Sequence, residues 1–329
     1  MKTFTKIGGL LAGLALTASS AFADPVTLTL GHAVFKTHPF HDAAERFAKA
    51  VDEKSDGEIK IDIYPARQMG DVKELMEGVQ MGTLDMTINS SSALSTLDPA
   101  VDAFQLPYVM SDYDDFARMA VSPEAQAIMD ELKGHGMIGL GLYEGGQRNF
   151  LSTEKPIKDL SDFKGLKTRV APSELFLDIW KAVGVNPTPM AYGEVYSGLE
   201  TGTIDAVEIN LTSIQSEGLY DAAKNVTMTG HYFWPGMMLI NKDVFDGLTA
   251  DQQKILRDAA REVVKPQVMA VKAYDEELKT KLADEGVTIT EASDTLKSQL
   301  HEAWAPVIKK YTDRDPLIAD FVKAAEAGH

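Results

Sequence analysis

Two arginines stand where a planar cation could hold an anion. Arg148 closes the run Tyr143-Glu144-Gly145-Gly146-Gln147-Arg148, and Arg169 sits in Gly165-Leu166-Lys167-Thr168-Arg169-Val170; each reads as the end of a strand-like stretch. A guanidinium presents two parallel N–H donors to a carboxylate, a geometry that a lysine ammonium cannot supply. The competing reading for each is a surface arginine paired with one of the chain's many acids. A third polar group, Glu208-Ile209-Asn210, closes an alternating run that starts at Ile204 and places Glu208 near the strand's end, where open α/β sheets bind their ligands. For Glu208 the expected role is to orient an arginine. Trp234, in Gly230-His231-Tyr232-Phe233-Trp234-Pro235-Gly236, and Phe35 are candidates for the apolar walls that bury a ligand's carbon skeleton, with ordinary core packing as the alternative. Asn89 and Ser90 open the polar run Asn89-Ser90-Ser91-Ser92, read as a loop that offers hydrogen bonds to hydroxyl or carboxylate oxygens.

Other chemistries lack their residue sets. The chain has no cysteine, so disulfides, thiolate metal sites and cysteine nucleophiles are excluded. His38 and His41 lie three apart at a helix start, but a zinc site needs three or four ligands and no HExxH-like set completes this one. Gly139-Leu140-Gly141-Leu142-Tyr143-Glu144-Gly145 departs from the dinucleotide fingerprint, and no G-x-S-x-G elbow occurs. No catalytic residues, metal or cofactor are expected.

The formal net charge is −17. Lys2 and Lys6 precede an apolar stretch from Ile7 to Ala18, and Ala21-Phe22-Ala23 offers small residues at the positions a signal peptidase reads. Cleavage after Ala23 would remove only those two charges and leave −19 on about 306 residues, 329 less 23. The apolar run is shorter than the ~18 residues of a membrane span. The expectation is a free, monomeric chain outside the cytoplasm whose acidic surface repels nucleic acid and anionic lipid.

A chain of this size calls for two lobes. Val26-Thr27-Leu28-Thr29-Leu30, a helix with Phe40, Ala43, Ala44, Phe47 and Val51 on one face, and Ile59, Ile61 and Ile63 give a βαβ start. Strand-like runs return at 84–88, 137–143 and 166–170, which argues for open, mostly parallel sheets with helices on both faces. Thr249 and Gln252 have capping-box spacing ahead of helical periodicity from Asp251 to Glu285. That helix is read as a brace across both lobes, kinked or divided at Pro266.

The run from Pro187 through Met190-Ala191-Tyr192-Gly193-Glu194-Val195-Tyr196-Ser197-Gly198-Leu199-Glu200-Thr201-Gly202-Thr203-Ile204-Asp205 to Glu208 resembles the signature of solute-binding proteins of TRAP transporters, the tripartite ATP-independent periplasmic carriers of organic acids. The likeness extends from Leu30-Gly31-His32 through Tyr64-Pro65, Leu106-Pro107-Tyr108-Val109 and Gly165-Leu166-Lys167 to Asn241-Lys242. It implies a type II-like periplasmic binding fold: two α/β lobes that close on a ligand cleft. It makes Arg169, in the intact G-L-K-x-R-V motif, the residue that binds the substrate carboxylate, and places Tyr192 as an aromatic beside the ligand. His32 joins the candidates at the first motif. For Arg148 the carry-over is weaker: the family often has G-x-R after this strand, and this chain reads Gly146-Gln147-Arg148. Ile209 replaces the first Asn of the family's strand-end motif, Asn210 matches the second as a ligand donor, and no Pro follows. This departure and the serine run favour a hydroxylated monocarboxylate. The resemblance further implies lobe I over 24–146 plus about 235–274, lobe II over 147–234 plus about 275–329, and a permease of one small and one large membrane subunit. A periplasmic ligand sensor or a secreted hydrolase are the alternatives.

Overall fold

The alternating residues after Pro25 form strand β1 (Val26–Gly31), and helix α1 (Pro39–Lys54) carries the chain to the parallel strand β2 (Ile59–Tyr64). These features come from a computed structural model that describes residues 25–328, so the signal-peptide reading of residues 1–23 lies outside the described residues. Helix α1 starts where the His38 ring accepts the Phe40 N–H at 3.2 Å with Pro39 at the first helical position, and it buries the expected face of Phe40, Ala43, Ala44, Phe47 and Val51. Helix α2 (Val72–Met81) is capped by Asp71 and ends at Gly82 with a left-handed φ of 71°; strand β3 (Met86–Ser90) then pairs with β1.

The polar run at 89–92 is not a loop. Asn89 and Ser90 complete β3, and Ser91–Leu94 forms a short helix, α3. Burial is possible because the hydroxyls find partners: Ser91 donates to the Pro235 carbonyl at 3.0 Å, and Ser90 and Ser92 lie 2.8 Å apart.

The remaining strands are β4 (Met137–Ser152), β5 (Lys167–Val170), β6 (Asn186–Pro189), β7 (Ala206–Asn210), β8 (Asn225–Met228), β9 (Phe233–Asn241) and β10 (Thr288–Glu291). Their spatial order is β2-β1-β3-β9-β4-β7-β5-β6, with β8 and β10 on the far side of β4. The outer pairs are parallel, but β9 runs antiparallel to β3 and β4, and β4 runs antiparallel to β7 and β8. The expected mostly parallel sheets are therefore one mixed sheet. The reason is β4, which does not stop at Arg148: it pairs with β9 as far as Gln147 and with β7 from Arg148 onward, passing from one half of the sheet to the other. A register shift marks the transfer between Glu144 and Gln147. Gly146 there has φ 122°, and a Cβ would come within 3.1 Å of Asn210 and Thr212. Strand β7 is buried along its whole length, without the alternating exposure of a one-sided strand.

The helix Ala250–Asp284 opens with the capping box of Thr249 and Gln252 and continues unbroken through Pro266. Division is avoided because Pro266 faces solvent, where water can serve the carbonyl that the missing N–H leaves free. The helix packs on β4, on α1, on Leu211–Ser216 and on β10. Gln267 on its buried face accepts the Glu144 N–H at 3.0 Å and donates to the Glu144 carbonyl at 2.7 Å, and Asp275 accepts from Tyr113 and the Gln147 N–H. The brace thus grips β4 at its crossing.

Candidate ligand-binding site

A cavity of about 630 Å³ opens between the two halves of the sheet. Its first wall is α2 with Ser90 and α3; its second is the end of β5 with Ala171 and Pro172, Phe176 and the turn at Tyr192; Arg148 on β4 and Trp234 on β9 form the floor. Strand ends and short helices place these groups, because a sheet end leaves side chains free of the ladder and aimed at the crevice. Trp234 donates from its indole N–H to Ser90 Oγ at 2.9 Å, and its ring lies 5.5 Å from that of Tyr192, so the aromatic surface is fixed in place. The Tyr192 hydroxyl meets Ser213 at 3.0 Å.

The two arginines are not equivalent. Arg148 donates from Nε to the Glu208 carboxylate at 2.7 Å, from Nη1 to Asn210 Oδ1 at 3.3 Å and from Nη2 to the Glu208 carbonyl. Tyr232 adds a 2.6 Å bond to the same carboxylate, and His231 lies 3.8 Å away. Burial disfavours the Arg148 charge, yet Glu208 outweighs it and the pKa ends above the usual arginine value. Burial likewise opposes ionisation of Glu208, but Arg148 and His231 bring its pKa down to about 2. The pair is thus charged and mutually neutralised.

Arg169 is 3% exposed and donates from Nε to the Met190 carbonyl at 3.0 Å. Among the described residues, no carboxylate lies within ion-pair distance of it. Burial lowers its pKa to about 10, which leaves it cationic at neutral pH. A buried guanidinium with Nη groups free and no counter-ion is a built receptor for one carboxylate.

The other candidates occupy different places. Asn210 and Glu208 stand behind Arg148, and neither is on the cavity wall. Asn89 turns its amide to the Val72 carbonyl at 2.8 Å and borders a smaller void beside the cavity. His32 is buried against His41, Nε2 to Nδ1 at 2.9 Å, and burial brings its pKa to about 3. Phe35 is 39% exposed with the Arg67 guanidinium 4.9 Å above its ring. His38 faces Thr212 and Ser213 at 3.3 and 3.4 Å. Among the described residues, no group of three or more His, Asp or Glu could hold a metal. Sequence reasoning missed Phe176 and the α2 face. Phe176 belongs to an amphipathic helix, Glu174–Ala182, whose apolar stripe reads as core whether or not one residue meets a ligand.

Residues 30–315 match the family described as bacterial extracellular solute-binding protein, family 7. The chain is similar to the sialic acid-binding periplasmic protein SiaP of Vibrio cholerae, 31% identical over 94% of this chain and 95% of that one. It is also similar to the 2,3-diketo-L-gulonate-binding periplasmic protein YiaO of Escherichia coli, 30% identical over 96% of both. Among solved structures, the sugar acid binding protein DctPAm of Advenella mimigardefordensis in complex with galactonate superposes with a TM-score of 0.88 at 26% identity, over 93% of this chain and 99% of that one. A TRAP periplasmic solute binding protein of Xanthobacter autotrophicus with bound β-D-galacturonate gives 0.85 at 30% identity, over 91% and 99%. With a buried guanidinium at the end of β5 that forms no ion pair among the described residues, inside a fold shared over nine-tenths of its length, this chain belongs to family 7 of the bacterial extracellular solute-binding proteins, the solute-binding component of TRAP transporters.

Proposed function

We propose that this protein captures a hydroxylated sugar acid, an aldonate or uronate, in the periplasm and delivers it unaltered to a permease of one small and one large membrane subunit. The observation that carries the reading is Arg169, a buried cation on the cavity wall that has no protein carboxylate to pair with. Ser90, Ser92 and Thr96 on the opposite wall supply hydroxyls of the kind that hydrogen-bond a polyol, and Trp234, Tyr192 and Phe176 supply apolar faces for its C–H edges. Galactonate and galacturonate bound to similar structures fit this chemistry. The lobes are drawn as 24–146 with about 235–274, and 147–234 with about 275–329, closing on the acid as it binds both.

The test is calorimetry with a panel of aldonates and uronates on the wild type and Arg169→Lys. The wild type binds at least one of them. The lysine variant keeps the charge but loses the paired donors, so affinity falls about ten- to a hundredfold, 1.5–3 kcal/mol. Wild-type affinity in a folded Arg169→Lys protein removes Arg169 from the site. The acid recovered after denaturation is expected to be chemically unchanged.

A further inference from the structure

The cavity is electrically asymmetric along its length. At the deep end, Arg148 is neutralised by Glu208, which leaves one uncompensated positive charge, on Arg169. At the mouth, Asp71, Glu74 and Glu77 line the first wall and Glu194 the second, against the single cation Lys73, which itself pairs with Glu77 at 3.7 Å. Arg67, beside Gly193 on the same lip, is spent on Glu217 at 3.0 Å. The N-terminus of α2 would draw an anion, but Asp71 already occupies it, accepting the Val72 N–H at 2.8 Å and, across the cleft, the Gly193 N–H at 2.9 Å.

Resting on the sugar-acid reading, we propose that this cleft selects monoacids against diacids, with Glu74, Glu77 and Glu194 as the rejecting residues. A ligand held at Arg169 by its carboxylate extends its other end toward the mouth. A hydroxymethyl or hemiacetal group there meets acceptors that it can donate to. A second carboxylate meets three excess negative charges, and Lys73, the one cation lining the mouth among the described residues, already pairs with Glu77, so the carboxylate loses water for little gain. Aldonates and uronates therefore enter, and aldarates of the same carbon skeleton do not. The mouth residues are half or fully exposed, so the discrimination is screened by salt, with a Debye length of about 10 Å at 0.1 M.

Calorimetry on the mature protein, at low salt and in concentrated sodium chloride, compares galacturonate with galactarate, and gluconate and glucuronate with glucarate. The best-bound monoacid should exceed its diacid at least tenfold at low salt. The ratio should shrink at least threefold in high salt, and equally in the triple variant Glu74→Gln, Glu77→Gln, Glu194→Gln, whose substitutions lie at the cavity mouth and leave the core intact. Equal affinity for monoacid and diacid in the wild type overturns the selection while sparing the sugar-acid reading. A ratio unmoved by salt and by the triple variant also overturns it, since the discrimination is then steric. Failure to bind any monoacid in a folded protein overturns the sugar-acid reading itself.

Discussion

Replacing Glu208 by glutamine should damage the fold more than replacing Arg169 by lysine, although Arg169 lines the cavity and Glu208 does not. Glu208→Gln strands the Arg148 charge in the interior, and removing one partner of a buried pair costs about 3–5 kcal/mol. Arg169 has no such partner, so Arg169→Lys should leave the urea midpoint nearly unchanged. The acid limb separates the roles again. With a folded pKa of about 2 against an ordinary 4.5, Glu208 contributes stability that is fully present above pH 4.5 and is lost as pH falls toward 2. Unfolding curves between pH 6 and 3 should be less acid-sensitive in Glu208→Gln than in the wild type. At this scale the sequence was informative where a motif or a charge pattern spoke: its motif singled out Arg169, which lines the cavity, and Glu208 was read as the group that orients an arginine, as it does for Arg148. It was silent where one residue type serves two ends. Nothing about Phe176 distinguishes a cavity face from a core face, and nothing about Asn89 says that its amide is taken by Val72.

Segments distant in the chain meet at the lip of the cleft. Arg67, held in a left-handed conformation at φ 62°, donates to the Ala33 carbonyl at 3.0 Å and through two nitrogens to Glu217, while Asp71 holds the Gly193 N–H. Neither Arg67 nor Glu217 lines the cavity, so Glu217→Gln leaves the ligand's contacts in place and weakens only closure. Affinity for the bound acid should fall about three- to fivefold, near the ~1 kcal/mol upper end for a partly exposed pair. The exchange Arg67→Glu with Glu217→Arg should recover part of it. An affinity untouched by Glu217→Gln would mean that the lip contributes nothing to closure. Sequence could not reveal this pair, since each residue alone looks like surface charge. The same limit hid the passage of β4 between the halves: periodicity announces a strand at 137–143, while pairing partners are set by register with β7 and β9, which periodicity does not encode.

Over the whole molecule, the crossing of β4 gathers two buried acids. Glu144 accepts from the Gly146 N–H at 2.6 Å and the Trp234 N–H at 3.2 Å, and burial raises its pKa to about 8; burial raises Asp275 to about 6. A raised carboxyl contributes stability that is fully present below its unfolded pKa and is lost as pH climbs through the folded value. Stability should therefore decline between about pH 4.5 and 8 through Glu144, over part of which Asp275 acts in the same sense. Glu144→Gln keeps an acceptor for both amides and cannot ionise, so its denaturation midpoints at pH 5.5 and 8 should lie closer together than those of the wild type. An unchanged difference would assign the slope to other groups. The two-sided α/β plan and the long brace were readable from alternating elements and a capping box. The mixed pairing at the centre was not, because it depends on a strand that returns from the second half.

That returning strand also sets the order in which the protein can be made. Strand β9 lies between β3 and β4, so residues up to 152 emerging from a ribosome or a translocation pore carry the rims of a sheet whose middle is still unsynthesised. The seam closes only when residue 241 has arrived, and the clamp on Glu144 only with Gln267. While residues 153 to 241 emerge, the nascent chain holds two unpaired strand edges, exposed to aggregation and to any holdase that binds them.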